Sequence, residues 1–179
     1  IAAVTIGGKT QLMIVLPSET IGITMATYCG QNLGAKKLDR IKKGIGRGFI
    51  LAAIYSVIGM CVARFLGPYL SLLFVSGSET QVIALAQQYI NAGSYFYIIL
   101  SVLFLLRNSL QCLGYSVTAM MTGVFELCAR GIGGYIFVKH FGYDAACFVN
   151  PFAWIVADLF LFPAFFTVMH KLNKRFKDT

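Results

Sequence analysis

The stretch FILAAIYSVIGMCVARFLGPYLSLLF, residues 49–74, carries a single charged side chain, Arg64, in an otherwise apolar run. A lipid bilayer has a hydrocarbon core of ~30 Å, which an α-helix crosses with about 20 apolar residues. A strand of a membrane barrel needs only about 10 residues and alternates strictly between apolar and polar positions. This stretch is longer and does not alternate. It therefore predicts a membrane-spanning helix, which Gly67 and Pro68 break near its end.

Four more apolar segments flank this one. Only 12% of the 179 residues are charged, 58% are hydrophobic, and the mean hydropathy is +0.74. A water-soluble domain has charged residues at about a quarter of its positions, so lipid must cover much of this chain. The sequence predicts an all-α fold, a polytopic membrane bundle of five transmembrane helices. The predicted helices cover residues 1–34, 49–74, 82–113, 117–138 and 145–169, with short turns at 114–118 and 141–144.

Lysine and arginine concentrate in a basic loop at 35–48, predicted as a surface helix between two spans, and in the tail at 170–179. The six basic residues of the loop are Lys36, Lys37, Arg40, Lys42, Lys43 and Arg47. Positive residues favour the cytoplasmic side of a membrane and contact its anionic headgroups. We therefore expect a multi-pass protein of the cell membrane with the loop and the C-terminus in the cytoplasm. The first residue then lies outside, so we expect at least one helix upstream of Ile1.

Other classes of function find no support in the sequence. The net charge of +8 is confined to the loop and the tail, and no basic face with interleaved aromatic residues suggests nucleic acid. The five cysteines are widely spaced, without the paired spacing of a zinc site or a disulfide framework. No nucleophile with a neighbouring base and no phosphate-binding loop occurs. We expect no catalytic residue, no metal site and no cofactor.

Four segments resemble one transporter family in the same order along the chain. ATYCGQNLGAKKLDRIKKGI (26–45) resembles the GQNxGAxxxxR segment that ends the second helix of a lobe in multidrug and toxic compound extrusion (MATE) transporters. YFYIILSVLFLLRNSLQCLGYS (95–116), FELCARGIGGYIF (125–137) and GYDAACFVNPFAWIVADLFL (142–161) are similar to the fourth, fifth and sixth helices of the C-terminal lobe. The resemblance implies twelve helices in two lobes, of which this chain would hold the eighth to the twelfth. The missing N-terminal lobe would be its partner.

The resemblance also implies a function, namely export of drugs or amphipathic, often cationic, metabolites in exchange for protons or sodium. The family's coupling acids lie largely on helices that this chain lacks, and the predicted helix at 82–113 contains no Asp or Glu. We therefore expect the coupling-ion site to lie largely outside this chain. Two alternatives remain open, a flippase of lipid-linked or polysaccharide precursors from the same superfamily, and a membrane structural subunit without transport activity.

Polar residues inside apolar helices are costly in lipid and need a partner or a watery cavity. The candidates for a substrate cavity or for coupling are Lys9, Gln11, Asn108, Glu126, Arg130 and Asp158. Glu126 and Arg130 share a helix face, as an internal ion pair or as a gate facing the cavity. Lys9 either reaches the outer surface or faces the cavity with Gln11, and Asp158 is either a structural hydrogen-bond partner or a protonatable group. Pro17 predicts a bend in the first helix, either for packing or as a hinge.

Overall fold

The computed structural model describes residues 2–75 and 79–177 as a bundle of helices, and no strand occurs among these residues. The helices are α1 (Ala2–Gly34), α2 (Leu38–Phe65), α3 (Gly67–Ser71), α4 (Thr80–Ser94), α5 (Tyr97–Cys112), α6 (Ser116–Ile132) and α7 (Val138–Lys177), with a π-helical turn (Gly133–Phe137) between α6 and α7. The predicted all-α bundle is confirmed. The predicted start of the first helix at residue 1, the loop residues 76–78 and the end of the tail at 178–179 lie outside the described residues.

Three of the described helical segments, or four if one bent pair counts as a single span, are long and apolar enough to cross a bilayer. By length and composition, the spans are Ala2–Gly34, Leu38–Phe65 and Ser116–Phe176, with α4 and α5 as a fourth if the bent pair counts as one. The 61 residues of the longest segment, at ~1.5 Å each, are about three times as long as a hydrocarbon core is thick. Gly142, at φ 64° and ψ −137°, breaks this segment within the predicted turn. The ring centres of Phe125, before the break, and Phe160, after it, lie 4.5 Å apart. The two halves therefore run side by side as separate spans.

The predicted third helix, residues 82–113, is two helices that meet at 59°. At the break, the Ser94 hydroxyl donates a hydrogen bond to the Asn91 carbonyl oxygen at 2.7 Å. The Phe96 amide donates to the Gly93 carbonyl three residues back, at 3.0 Å, where an α-helix would reach four residues back. A serine side chain that competes for backbone groups interrupts the helical ladder in this way.

The basic segment at 35–48, predicted as a surface helix between two spans, is helical from Leu38, but it is not separate, because α2 begins at Leu38 and continues into the apolar run. Leu38, Ile41 and Ile45 are buried in the core, at the spacing of one helix face. The six basic side chains are exposed on the other faces. Burial of the apolar face therefore extends the spanning helix into the basic segment.

The other boundaries shift for related reasons. α2 ends at Phe65 and α3 follows as a separate helix, because Gly67 and Pro68 interrupt the run as expected. α7 continues through the predicted tail to Lys177, since Leu172 is buried in the core. Within that tail, Asn173 accepts a hydrogen bond from Lys42 Nζ at 3.1 Å. The basic segment of α2 and the end of α7 therefore lie together at one end of the bundle.

Helix α5 is the centre of the bundle, in contact with α1, α2, α6 and α7. Leu105, Leu106 and Leu110 of α5 are fully buried in a cluster toward the basic end. A second cluster, around Leu103 of α5 and Trp154 of α7, fills the opposite half. α1 stays helical through Pro17, so the predicted bend stays a prediction.

Three serines join α1, α2 and α5 inside the bundle. The Ser101 hydroxyl lies 2.9 Å from that of Ser18 and 3.0 Å from that of Ser56, and all three residues are buried. Small side chains let membrane helices approach closely, and their hydroxyls hydrogen-bond across the interface. The cluster therefore ties three spans together without a large polar group.

We expect Ser101→Ala to lower the free energy of unfolding by about 1 kcal/mol, because it removes the hydroxyl that both other serines share. The measurement is denaturant unfolding in detergent micelles. Thr20→Val is the control, because the Thr20 hydroxyl is exposed and bonds only its own helix, at the Leu16 carbonyl. Equal unfolding energies for the two variants would show that the serine cluster adds no stability.

Candidate functional site

A groove with a volume of 520 Å³ opens among α1, α5, α6 and α7. Its lining combines apolar side chains (Leu12, Val15, Leu100, Phe104, Trp154) with polar ones (Gln11, Arg107, Glu126, Arg130, Asn150) and Gly8. Binding sites for small organic molecules have this character, with volumes of about 300–1,000 Å³ and a few polar groups on an apolar wall. We call it the central groove and treat it as the candidate site.

Glu126 is the centre of an ion-pair cluster in this groove. Its Oε1 pairs with the Arg130 guanidinium one turn along α6, as the spacing predicted, and its Oε2 lies 3.7 Å from Nη1 of Arg107 on α5. The Glu126 side chain is only 12% exposed, while those of Arg107 and Arg130 are 28% and 45% exposed. One carboxylate therefore holds two guanidinium groups at the groove surface and joins α5 to α6.

Gln11 supplies a polar group from α1. Gln11 is 5% exposed, and its Nε2 has no hydrogen-bond partner among the described residues. The side-chain amide packs on Gly93 of α4, so closely that a Cβ at Gly93 would lie 2.8 Å from Nε2. The absence of a side chain at Gly93 therefore makes the space in which this amide lies.

Asn150 and Trp154 form the part of the groove wall that α7 contributes. Asn150 Nδ2 donates a hydrogen bond to the Tyr89 hydroxyl at 2.7 Å, which fixes the amide to α4. Trp154 is buried one helical turn further along the same face. Tyr89 in turn packs against Gly7 of α1, where a Cβ would come within 2.8 Å of its ring. These contacts give the wall a defined position.

The structure separates the other candidates from this groove. Lys9 is exposed, with its Nζ 5.8 Å from the centre of the Phe74 ring. Consecutive residues on a helix point about 100° apart. Lys9 and Gln11 are two positions apart, so their side chains point in nearly opposite directions. Asn108 donates to the Phe104 carbonyl of its own helix at 2.8 Å. It lies where α5 crosses Gly22 of α1.

Asp158 lies two turns beyond Asn150 on α7 and is 6% exposed. Its Oδ1 has no hydrogen-bond partner among the described residues. It does not line the central groove. A buried carboxylate is stable only when it is paired, hydrogen-bonded or neutral. Protonation of Asp158 would make it neutral, and this protonatable role stays a prediction.

Gln11, Glu126 and Arg130 are candidates predicted from the sequence, and all three line the central groove. Arg107, Asn150 and Trp154 also line the groove, but the sequence did not predict them as site residues. Asn150 and Trp154 recur at helical spacing in a largely apolar run, which is a pattern that could have indicated them. Arg107 gives no such signal, because its contact with Glu126 depends on how α5 and α6 pack.

The groove offers amide and guanidinium N–H donors on an apolar wall. Among residues 2–75 and 79–177, no three His, Cys, Asp or Glu side chains come together as metal ligands would. The arrangement is suited to holding part of an organic molecule by hydrogen bonds, ionic contacts and apolar packing.

Comparison with known proteins supplies the family. The model of the MatE family matches residues 1–136, about three quarters of the chain. No curated protein and no solved structure matches this chain. MatE proteins are transporters, and the described spans are those of a multi-pass membrane protein. The chain belongs to the MatE family of membrane transporters.

Proposed function

We propose that this chain is part of a secondary active antiporter that exports drugs or amphipathic metabolites in exchange for protons or sodium. The observation that carries the proposal is the central groove, which places polar donors on an apolar wall within the spans. An amphipathic molecule needs both surfaces to leave the aqueous phase. The membership of the MatE family supports transport as the activity.

Repeat-built transporters bind their substrate between two lobes that rock around it. We propose that a second lobe, the N-terminal lobe predicted from the sequence, covers the open side of the central groove. The exposed basic residues of α2 and α7 then face the cytoplasm of the cell membrane, where anionic headgroups attract them. The coupling ion binds largely on the partner lobe.

A second candidate is a flippase for lipid-linked precursors, which carry phosphate groups. The observation that favours it is the pair of guanidinium groups of Arg107 and Arg130 at the groove surface. Arginine binds phosphate through two parallel hydrogen bonds. An antiporter for cationic drugs alone has no need of two arginines in its groove.

To test the proposal, the open reading frame that encodes this chain is expressed in cells that lack their main drug exporters. Accumulation is measured for a set of cationic, neutral and anionic amphipathic dyes, and we expect it to fall for at least one of them, because export driven by an ion gradient opposes entry. A protonophore should restore accumulation if protons drive export, and replacement of external sodium by choline should restore it if sodium does.

The control is the same vector carrying an unrelated multi-pass protein at equal membrane abundance. Unchanged accumulation of a set of cationic, neutral and anionic dyes would contradict the antiporter. The flippase is then tested in liposomes, by following the transfer of a fluorescent prenyl phosphate between leaflets.

A further inference from the structure

Among the residues that the structure describes, Glu126 is the only carboxylate that lines the central groove, and two arginines already neutralise it. Glu126 pairs with Arg130 through one oxygen and with Arg107 through the other. With 12% of its side chain exposed, little of it remains for a cationic ligand. A cation entering the groove would meet two guanidinium groups and no free carboxylate.

The two arginines, in contrast, keep part of their binding capacity. A guanidinium carries five N–H donors in a planar fork, and the contacts with Glu126 engage one nitrogen of each arginine. Arg130 is 45% exposed and Arg107 is 28% exposed. Donors therefore remain available on both arginines, which line the groove and are held by a shared acceptor.

Gln11, a neutral polar residue of the groove lining, provides one further donor. Gln11 Nε2 is buried without a partner. A ligand acceptor that reached it would remove the cost of an unsatisfied buried donor. The Asn150 amide is already engaged with Tyr89 through its nitrogen. Asp158 is buried and is not among the lining residues, so it adds no exposed negative charge.

We propose that the central groove binds the anionic head of an amphipathic organic molecule, a carboxylate or a phosphate. Arg130 and Arg107 contact the head, and the apolar tail packs on Leu12, Leu100 and Trp154. Glu126 is a positioning residue that holds both guanidinium groups. This inference rests on the proposed function only in assuming that the groove carries substrate, and binding alone tests it.

The test measures binding to the purified chain in neutral detergent micelles. The probes share one dansyl-labelled dodecyl chain and differ in their head group, which is carboxylate, phosphate, alcohol or trimethylammonium. We expect the two anionic probes to bind at least about tenfold more tightly than the alcohol, since hydrogen bonds to charged groups are the stronger ones. The trimethylammonium probe should bind no more tightly than the alcohol.

Arg130→Gln should remove most of the advantage of the anionic probes and leave the alcohol unchanged. Arg107→Gln is a second variant, in case the first does not fold. Arg64→Gln is the matched control, because Arg64 is exposed on α2 and donates to the Tyr95 hydroxyl, away from the groove. A preference for one anionic probe over the other separates a carboxylate substrate from a phosphate-bearing lipid.

Equal binding of the anionic and neutral probes overturns the inference, as does an equal effect of Arg130→Gln and Arg64→Gln. Binding of the anionic probes without any transport activity in cells contradicts the proposed function and leaves this inference standing. Export of cationic dyes without binding of the anionic probes supports the proposed function and contradicts this inference. The two failures are therefore distinguishable.

Discussion

Replacing Glu126 with glutamine should lower the free energy of unfolding by about 3 kcal/mol. An exposed ion pair contributes less than about 1 kcal/mol, but Glu126 is largely buried and neutralises two arginines within the spans. Glutamine keeps the shape and removes the charge. Arg107 and Arg130 then lie without a counter-charge within the spans, where an unpaired charge is costly. The measurement is denaturant unfolding in detergent micelles.

Two further variants make this prediction specific. Glu79→Gln is the matched control, because Glu79 is exposed before the first turn of α4, and its charge should change stability by less than about 0.5 kcal/mol. In the double variant Glu126→Gln with Arg130→Gln, part of the lost stability should return, because one of the unpaired charges is gone. Equal effects of Glu126→Gln and Glu79→Gln would show that the cluster does not stabilise the fold.

The sequence was sufficient to predict the spans because lipid imposes a simple rule on each segment, about 20 apolar residues in a row. The breaks at Gly67–Pro68 and near Gly142 were also predictable, since glycine and proline disturb helices through their own backbone. The break before Tyr97 was not. It depends on a hydrogen bond from Ser94 to the backbone, and serine in an apolar run gives no such signal by itself.

The start of α2 shows a different limit. The basic residues at 36–47 indicated a surface helix apart from the spans, but Leu38, Ile41 and Ile45 occupy one face and reach the core. The pattern indicated a helix, and only packing shows that this helix is continuous with the span.

The candidate site was predictable where its residues share one helix. The spacing of Glu126 and Arg130 implied their contact, which the structure contains. Arg107 and Gln11 reach the same groove from other helices, and this depends on the crossing of α5 with α6 and α1. No local pattern encodes a crossing. For the same reason, Lys9 and Asp158 resembled site residues but lie elsewhere.

Replacing Gly22 with valine should lower the free energy of unfolding by about 3 kcal/mol, at the upper end for overpacking. Gly22 lies where α1 crosses α5, and a Cβ there would lie 2.8 Å from both the Phe104 carbonyl oxygen and Asn108 Nδ2. A carbonyl oxygen within a helix cannot rotate away, so the two helices must separate. Separation also disturbs the hydrogen bond between Ser18 and Ser101. The measurement is again unfolding in detergent micelles.

Gly46→Val is the matched control for Gly22→Val. Gly46 is exposed on α2, and a Cβ there would meet nothing within 4 Å. Since glycine is a poorer helix former than valine, this change should leave stability equal or slightly higher. The opposite signs at two helical glycines would assign the effect to the crossing rather than to the loss of glycine itself. A Gly22 variant as stable as the Gly46 variant would mean that α1 and α5 do not approach as closely as the structure places them.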